Sequence, residues 1–335
     1  MTMTNPEVYD AVKKWMLDLE SGWDSDTPFY KSSTRRSALF WLKKYCKILE
    51  TNPDWLIRGR LDDLQSNNPQ IREKHEDHLV TFLVTLKRED YASASIATGV
   101  GMVRSFYSAN KVPLGKVRSV KIRPKRHYKI PNIKELKKMC KVADLATKTW
   151  ILCQKDCGLA NGDLIALNLQ TKSSEYGTIR KQLNKNDGFI HIEINREKTQ
   201  ERVDTFFGPN SIESLTEYIG SRRTGIFFDK SMRTFQHNVS ASALRARVTT
   251  KDFPITPYCF RRFFNITMKY GAPERDPPIP GANEAIVERM MGHSIGRVRS
   301  AYMPSGRTST FEGMPISNLA KVYMMTYPAI DITKA

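Results

Sequence analysis

A histidine and a tyrosine stand nine residues apart in the segment ERMMGHSIGRVRSAYMP, residues 288–304. His293 follows a glycine, and Arg297 and Arg299 lie between it and Tyr302. Imidazole and guanidinium groups donate hydrogen bonds to anions, and an activated phenol can act as a nucleophile. This spacing indicates a site in which cationic side chains surround a hydroxyl nucleophile.

Other common catalytic patterns are missing from the sequence. It has no Walker loop, no G-x-G-x-x-G after a strand, no H-E-x-x-H and no Cys/His array, and its acidic residues are not clustered for a two-metal site. We therefore expect no metal or nucleotide cofactor. Three more segments carry suitable residues: DCGLANGDLIALN (156–168), a predicted hairpin turn with Lys198, and TPYCFRRFFNI (256–266) with Arg261.

Net charge favours a polyanionic partner. The chain of 335 residues has 53 Lys and Arg against 35 Asp and Glu, which leaves a net charge of +18. The excess is uneven, because segment 111–129 holds eight basic residues and no acidic one. A run of this kind can be merely solvated, but between two basic domains it favours a strap that follows phosphates. Its candidate DNA-binding residues are Lys111, Lys116, Arg118, Lys121, Arg123, Lys125, Arg126 and Lys129.

Hydrophobic periodicity predicts a mostly α-helical protein with two domains. Residues 31–110 show the spacing of four or five short helices, and prolines and a glycine then break the pattern. The predicted organisation is a helical bundle at 1–112, a basic linker at 113–130, and a mixed α/β, mainly helical domain at 131–335.

The second domain is predicted to contain a small antiparallel sheet. A helix begins at Asn132, and a buried helix turns at Gly158 into a second one. Segment 188–207 then alternates apolar and polar residues around the polar turn REKTQER, with Ile190, Ile192 and Ile194 on one face.

Cysteine usage and hydropathy predict a cytoplasmic protein. Five cysteines at irregular spacing indicate a reducing compartment. Cys153 and Cys157 would share a helix face, and no nearby residues complete a metal-ligand set, so we expect them in the core. There is no signal-peptide pattern and no run of 18 apolar residues, so we expect no membrane span.

The four segments resemble, in order and spacing, the tyrosine recombinase (phage integrase) family. That family has G-L-R near a helix start, a hairpin lysine, T-P-H-x-x-R-H, and L-G-H with a tyrosine nine residues on. Here Gly158-Leu159, Lys198, Thr256-Pro257 with Arg261, and Gly292-His293 with Tyr302 match it. The motifs span roughly 130–305, and the N-terminal bundle is similar to the family's core-binding domain. The resemblance implies a site-specific DNA recombinase or integrase.

The resemblance also assigns roles. Tyr302 would attack the phosphorus and form a 3′-phosphotyrosine, Arg261 would hold the phosphate, Lys198 would be the general acid, and His293 would donate a hydrogen bond to a phosphate oxygen. Arginine suits this task because its fork matches phosphate and stays protonated. The covalent ester conserves the bond energy, so rejoining needs no ATP.

Neighbouring basic residues compete for two of these roles. Arg262 is the rival of Arg261, which the preceding Thr256-Pro257 favours. Arg196 and Arg202 are the rivals of Lys198, which the similarity of EKTQER to the family's hairpin turn favours.

Two positions depart from the family pattern. Tyr258 stands where a histidine is usual, and a phenol can still donate a hydrogen bond to a phosphate oxygen. Ala160 stands where the first arginine is expected, and losing such a donor costs on the order of 10²–10³ in rate. Three explanations remain open: an engineered variant, which we favour because the other positions are intact; a degenerate recombinase; or replacement by another basic residue from elsewhere, such as Lys155 or Arg180.

The resemblance implies that four protomers assemble on two DNA duplexes. A predicted C-terminal helix with Ile316, Leu319 and Tyr323 on one face would pack on a neighbouring protomer or on its own domain. Two other functions remain: a type IB topoisomerase-like enzyme, and a catalytically decayed DNA-binding protein, for which Ala160 is the main argument.

Overall fold

The structure is a computed structural model, and it describes residues 6–23, 28–117, 121, 128–196, 201–250, 252–292 and 314–334. The chain divides into two compact units, Met1–Lys125 and Arg126–Ala335. The division falls inside the segment 113–130 that the sequence predicts as a linker.

The first unit is a helical bundle, and two of its longer helices begin at capping residues. The Ser32 side chain accepts a hydrogen bond from the backbone N–H of Arg35 at 3.0 Å, and Asn52 does the same for Trp55 at 3.0 Å. Five helices of three turns or more and one single turn are described here, close to the predicted four or five. They are α1 (Asp10–Ser21), α2 (Ser33–Ile48), α3 (Pro53–Leu64), α4 (Pro69–Arg72), α5 (Lys74–Arg88) and α6 (Ser93–Ala109).

Aromatic side chains dominate the core of the bundle. Trp15, Tyr45, Phe82, Phe106 and Tyr107 are fully buried. Trp15 meets Phe106 edge to face with ring centroids 5.5 Å apart, and Tyr45 meets Phe82 at 5.2 Å. Edge-to-face pairs of this kind add to the stabilisation that burial itself supplies.

A buried ion pair holds the chain where it leaves the bundle. Arg60 Nη2 lies 2.7 Å from Glu76 Oε1 and also donates to the carbonyl of Pro113 at 3.3 Å. The same Glu76 oxygen accepts the backbone N–H of Gly115 at 2.7 Å. Residues 113–115, the start of the predicted linker, are therefore packed against the bundle.

The second unit is mainly helical and carries two small antiparallel sheets in its described part, so the predicted fold class is confirmed. The side chain of Asn132 caps the first helix of this unit, and Glu135 completes a capping box. The elements are α7 (Ile133–Val142), α8 (Leu145–Cys157), α9 (Asn161–Ala166), β1 (Lys172–Ser173), β2 (Gly177–Thr178), α10 (Ile179–Lys185), β3 (Ile190–Asn195), β4 (Arg202–Phe207), α11 (Pro209–Ile219), α12 (Met232–Arg245), α13 (Pro257–Tyr270), α14 (Glu284–Met291) and α15 (Ile316–Thr326).

Helix α8 runs through the middle of this unit. It contacts α7, α11, α12, α13 and β4, and Trp150 on it stacks on Phe235 with centroids 4.4 Å apart. Cys153 and Cys157 are fully buried, as expected of core residues, and burial raises the pKa of both thiols. No three His, Cys, Asp or Glu side chains converge on a metal-sized site among the described residues.

The predicted hairpin is formed by β3 and β4. Its register runs from Ile190 opposite Phe207 to Asn195 opposite Arg202. Ile190 and Ile192 are buried on the core face, and Ile194 is half-buried, as the alternation predicts.

Within the described ranges, no helix is both long and apolar enough to cross a membrane.

A buried lysine–aspartate pair lies at the end of α8. The Lys155 ammonium contacts the Asp156 carboxylate and lies 5.5 Å from the centroid of the Tyr327 ring. Asp156 also accepts the backbone N–H of Ser211 at 3.1 Å and of Gly208 at 3.3 Å. The network therefore joins α8, α11 and the C-terminal segment through satisfied buried charges.

Removing the buried ammonium should strongly destabilise the protein. We expect Lys155→Ala to lower the free energy of unfolding by about 3–5 kcal/mol, because it leaves a buried carboxylate without its partner. Lys148→Ala is the control, since Lys148 is on the same helix, 3.9 Å from Glu217 and partly exposed; it should change stability by no more than about 0.5 kcal/mol. Urea denaturation measures both, and equal losses would contradict the prediction.

His75 makes the bundle sensitive to acid. Its Nδ1 lies 2.9 Å from the Tyr107 hydroxyl, and the residue is buried. Burial first, and the neighbouring His78 second, lower the pKa of His75 to about 4, against the opposing charge of Asp63. Below pH 6.5, the ordinary pKa of histidine, His75 binds a proton in the unfolded chain but stays neutral in the folded one. Stability is therefore lost as the pH falls from about 6.5 towards 4.

Replacing His75 should remove this part of the acid sensitivity. We expect the wild type to lose roughly 2–3 kcal/mol more than His75→Gln between pH 7 and pH 4. The fluorescence of the buried bundle tryptophans reports the transition. The exposed His237 serves as control, and His237→Gln should keep the wild-type pH dependence. Parallel curves for wild type and His75→Gln would exclude His75 as the titrating group.

Candidate active site

Arg261 lies at the centre of the candidate site. Pro257 occupies the first position of α13, where its missing N–H has no intrahelical partner, and Arg261 follows one turn later, with 4% of the residue exposed. Its Nη1 donates to the carbonyl of Gly158 at 2.5 Å and its Nη2 to that of Met291 at 2.9 Å. The guanidinium thus joins α13 to the C-terminal ends of α8 and α14, which are the negative ends of those helix dipoles.

Gly158 makes the sharp turn between α8 and α9. Its φ of 63° lies in the left-handed region, and an added Cβ would stand 2.3 Å from Phe264 Cδ1. Ala160 follows as the N-cap of α9, with extended backbone and without a side-chain hydrogen bond to the helix. Its methyl group offers no donor to an anion.

Gly292 ends α14 in the same way, with a φ of 61°. An added Cβ there would stand 2.4 Å from Val203 Cγ2 and 2.5 Å from Arg196 Cδ. Only glycine therefore lets the end of α14 approach the hairpin this closely. His293 is the next residue in the chain and lies outside the described residues.

Asp204 on β4 fixes α14 against the hairpin. Its carboxylate accepts hydrogen bonds from Arg289 on α14 at 2.7 Å and from Arg202 at 3.1 Å, and lies 3.3 Å from His191 Nε2. Burial opposes ionisation, but these hydrogen bonds outweigh it and hold the pKa of Asp204 well below its usual range. The carboxylate therefore stays charged and keeps α14 in place.

Arg196, the residue after β3, brings a second guanidinium to the site. Its Nε donates to Asp163 Oδ2 at 3.1 Å, and its Nη1 donates to the carbonyl of Gly292 at 2.9 Å. The side chains of Arg196 and Asp163 are 13% and 11% exposed. The backbone N–H of Arg196 donates to the carbonyl of Glu201 at 2.9 Å, so the two strands stay hydrogen-bonded just beyond the end of β3.

The two guanidinium groups influence each other. Burial lowers the pKa of Arg261, and the positive charge of Arg196 lowers it further, whereas Asp163 and Tyr258 oppose the change. Two arginines and one carboxylate thus share this part of the site, which retains excess positive charge.

Tyr258 lies one turn before Arg261 on α13 and is 53% exposed. The guanidinium carbon of the exposed Arg262 lies 5.7 Å from the centroid of its ring. Of the two adjacent arginines, Arg261 is the one directed at the ends of α8 and α14. The Tyr258 hydroxyl is thus accessible to a ligand beside a buried cation.

Three predicted catalytic residues, Tyr302, His293 and Lys198, lie outside the described residues, and their roles stay predictions. So do the roles of Arg118, Arg123, Lys125 and Arg126 in the linker.

The described basic residues of the linker differ in their surroundings. Lys111, Lys116 and Lys121 are exposed. Lys129 instead donates to Glu135 at 2.5 Å and to the carbonyl of Val248 at 2.6 Å, so its ammonium is engaged within the second unit. Binding of DNA by these residues stays a prediction.

The two residues considered as substitutes for the missing first arginine lie elsewhere. Lys155 is fully buried with Asp156, and Arg180 donates to the carbonyl of Gly220 at 3.5 Å. The sequence patterns indicated Arg196 only as an alternative to Lys198, and they did not indicate Asp163. The acid one turn after Ala160, without a basic partner on its own helix, is the signal that would have indicated a cation from another element.

Helix α15 packs on its own unit. Ile316, Leu319 and Tyr323 are buried in the core of that unit, and burial raises the pKa of the Tyr323 phenol well above its ordinary value. Of the two predicted arrangements, the structure therefore shows the one in which the helix packs on its own domain.

Solved structures with this fold include integrases bound to DNA. A lambda integrase tetramer bound to a Holliday junction is 14% identical, over 90% of this chain and 79% of that one, with a TM-score of 0.55. A lambda integrase dimer bound to a COC′ core site is 12% identical, over 90% and 98%, with a TM-score of 0.54. The Tn1549 transposon integrase in complex with transposon right end DNA is 13% identical, over 94% and 98%, with a TM-score of 0.52. No family model and no curated protein sequence matches the chain.

A side chain at Gly292 should disturb the site. We expect Gly292→Ala to lower the free energy of unfolding by about 1–3 kcal/mol, because the methyl group meets both Val203 and Arg196 in a left-handed backbone. Gly162→Ala is the matched control, since nothing lies within 4 Å of the position that an added methyl group would take, and its φ is outside the left-handed region. It should be neutral or stabilising by up to about 1 kcal/mol. Thermal unfolding of both variants provides the comparison, and equal midpoints would contradict the close approach.

Proposed function

Because the chain has the fold of the tyrosine recombinases, we propose that it is a site-specific DNA recombinase or integrase. It would break and rejoin DNA through a 3′-phosphotyrosine, without metal or ATP. The observation that carries the proposal is the buried Arg261 guanidinium, held at the ends of two helices, one of which leads directly to His293. The family motif then supplies Tyr302 as the nucleophile.

The proposed reaction balances at a single phosphodiester. The Tyr302 Oη–P bond forms as the bond from phosphorus to the 5′ oxygen breaks. The phenolic proton is released to water, and Lys198 delivers a proton to the leaving oxygen. Arg261 and His293 donate hydrogen bonds to the non-bridging oxygens, whose charge grows in the transition state. A 5′ hydroxyl from a second strand reverses the step, and the tyrosine leaves.

Tyr258 supports the phosphate in this scheme. Its exposed hydroxyl, one turn from Arg261, would donate a hydrogen bond to a non-bridging oxygen. A guanidinium and a phenol on the same helix face present donors that a phosphate can accept together.

The proposed partner is double-stranded DNA. The net charge of +18 and the exposed Lys111, Lys116 and Lys121 support it. By analogy with the lambda integrase tetramer, four protomers would assemble on two duplexes, with α15 staying on its own unit. A cytoplasmic location follows from this role.

Ala160 taken alone predicts a cleavage-impaired enzyme. One guanidinium fewer at the phosphate costs on the order of 10²–10³ in rate. A cation supplied by another element would restore the rate, and covalent trapping separates the two cases.

Covalent trapping tests the proposed function. A binding site is first selected from duplexes with a randomised centre, and the selected duplex is then nicked at successive phosphates so that the cleaved fragment diffuses away. We expect a detergent-resistant protein–DNA adduct that Tyr302→Phe abolishes, from the wild type if another cation replaces the missing arginine and from Ala160→Arg if none does. Tyr270→Phe, a change at an exposed tyrosine on α13, is the control and should leave the adduct unchanged. Peptide mapping should place the DNA on Tyr302, and a free 5′ hydroxyl on the released fragment identifies the 3′ linkage.

Other outcomes distinguish the alternative functions. Tight, salt-sensitive binding without an adduct, even with Ala160→Arg, would favour the decayed DNA-binding protein. Relaxation of supercoiled plasmid without the selected site would favour the topoisomerase-like enzyme.

A further inference from the structure

A cation from the hairpin lies beside the position that lacks its arginine. Ala160 is the N-cap of α9, and Asp163 lies in the first turn of that helix. An arginine at 160 could reach Asp163, because side chains three residues apart at a helix start are neighbours. In this chain the partner of Asp163 is Arg196, which is 33 residues away in sequence.

We propose that Arg196 is the second phosphate-binding arginine of the active site and replaces the one missing at position 160. This inference rests on the proposed function, since it assigns a residue to the same reaction. Asp163 is a positioning residue, because it holds the guanidinium and does not itself contact the phosphate.

The position of Arg196 is set by contacts from two elements. Asp163 on α9 holds Nε, and the carbonyl of Gly292 at the end of α14 accepts from Nη1 at 2.9 Å. The Arg196 Cδ lies 2.5 Å from the position that an added Cβ at Gly292 would take, so the glycine leaves room for the aliphatic stem. A guanidinium carries five N–H donors, more than these two bonds use. Its placement by fixed partners means that little conformational freedom is lost when an anion binds.

Charge balance also indicates a phosphodiester. Arg196, Arg261 and Asp163 together leave one net positive charge, and a phosphodiester carries one negative charge. Arg196 is close enough to Arg261 for its charge to disfavour the protonated form of that group. A bound anion between the two guanidinium groups relieves this repulsion, and two forks can hold both non-bridging oxygens as charge develops on them.

The location of Arg196 beside Gly292 also supports a role at the phosphate. Gly292 directly precedes His293, which the motif assigns to the same phosphate. The carbonyl that orients Arg196 therefore belongs to the residue before another predicted phosphate ligand. In the sequence, Arg196 is also two residues before Lys198, the predicted general acid.

The test compares adduct formation in five proteins on the selected, nicked duplex. They are the wild type, Ala160→Arg, Arg196→Ala, Arg196→Lys, and the double variant Arg196→Ala with Ala160→Arg. We expect Arg196→Ala to slow adduct formation by about 10²–10³-fold while DNA binding weakens by less than about 10-fold. Arg196→Lys should form the adduct faster than Arg196→Ala but more slowly than the wild type. The double variant should come back to within about 10-fold of wild type, because an arginine at 160 reaches the same Asp163.

Arg180→Ala is the matched control. It removes the same charge from the same unit, but its guanidinium contacts the carbonyl of Gly220. We expect wild-type adduct formation from this variant. Circular dichroism and thermal midpoints verify folding, and if Arg196→Ala does not fold, Arg196→Gln and the double variant replace it in the comparison. Rescue by an arginine at another position is a result that a purely structural role of Arg196 would not produce.

The outcomes separate this inference from the proposed function. If Arg196→Ala forms the Tyr302-dependent adduct at the wild-type rate, the inference is overturned and the proposed function stands. If the wild type forms no adduct but Ala160→Arg does, the chain is a cleavage-impaired recombinase and Arg196 does not replace the missing arginine. If neither forms an adduct on any nicked duplex, the proposed function fails and the inference fails with it.

Discussion

The contact of one guanidinium with two helix ends organises the second unit of this protein. Arg261 donates to the carbonyls of Gly158 and Met291, which close α8 and α14. A helix end leaves carbonyls without intrahelical partners and carries partial negative charge, so a buried cation there is both hydrogen-bonded and electrostatically favoured. Both ends turn through left-handed glycines, and in both cases a side chain would collide with a neighbouring element.

This constraint explains how a strongly positive site can be kept inside a folded domain. A buried arginine is costly unless its donors are paired, and the two carbonyls provide partners without neutralising the charge. Asp204 holds α14 on the hairpin from the other side through Arg289, so the end of α14 is fixed from two directions. The resulting cation is rigid and partly desolvated, which strengthens its interaction with an anion that enters the site.

The sequence predicted the elements much better than the contacts between them. The apolar alternation of 188–207, the capping residue Asn132 and the turn at Gly158 are local patterns, and each formed where it was predicted. Arg196 was not identified as a part of the site, because its partners are 33 residues before it and 96 residues after it in sequence. No local pattern connects them. The alanine at position 160 shows that the expected arginine is missing, but it does not indicate which residue replaces that arginine.

The sequence by itself determined the fold class, the basic character and the order of the motifs, since these depend on composition, periodicity and spacing. Only the tertiary structure decided which charged groups meet. It buried Lys155 against Asp156, engaged Lys129 with Glu135, and brought Arg196 to Asp163 beside Arg261. The physical reason is that secondary structure responds to neighbours along the chain. The pairing of a charge depends instead on how strands and helices dock, and that docking is set by the close packing of the whole core.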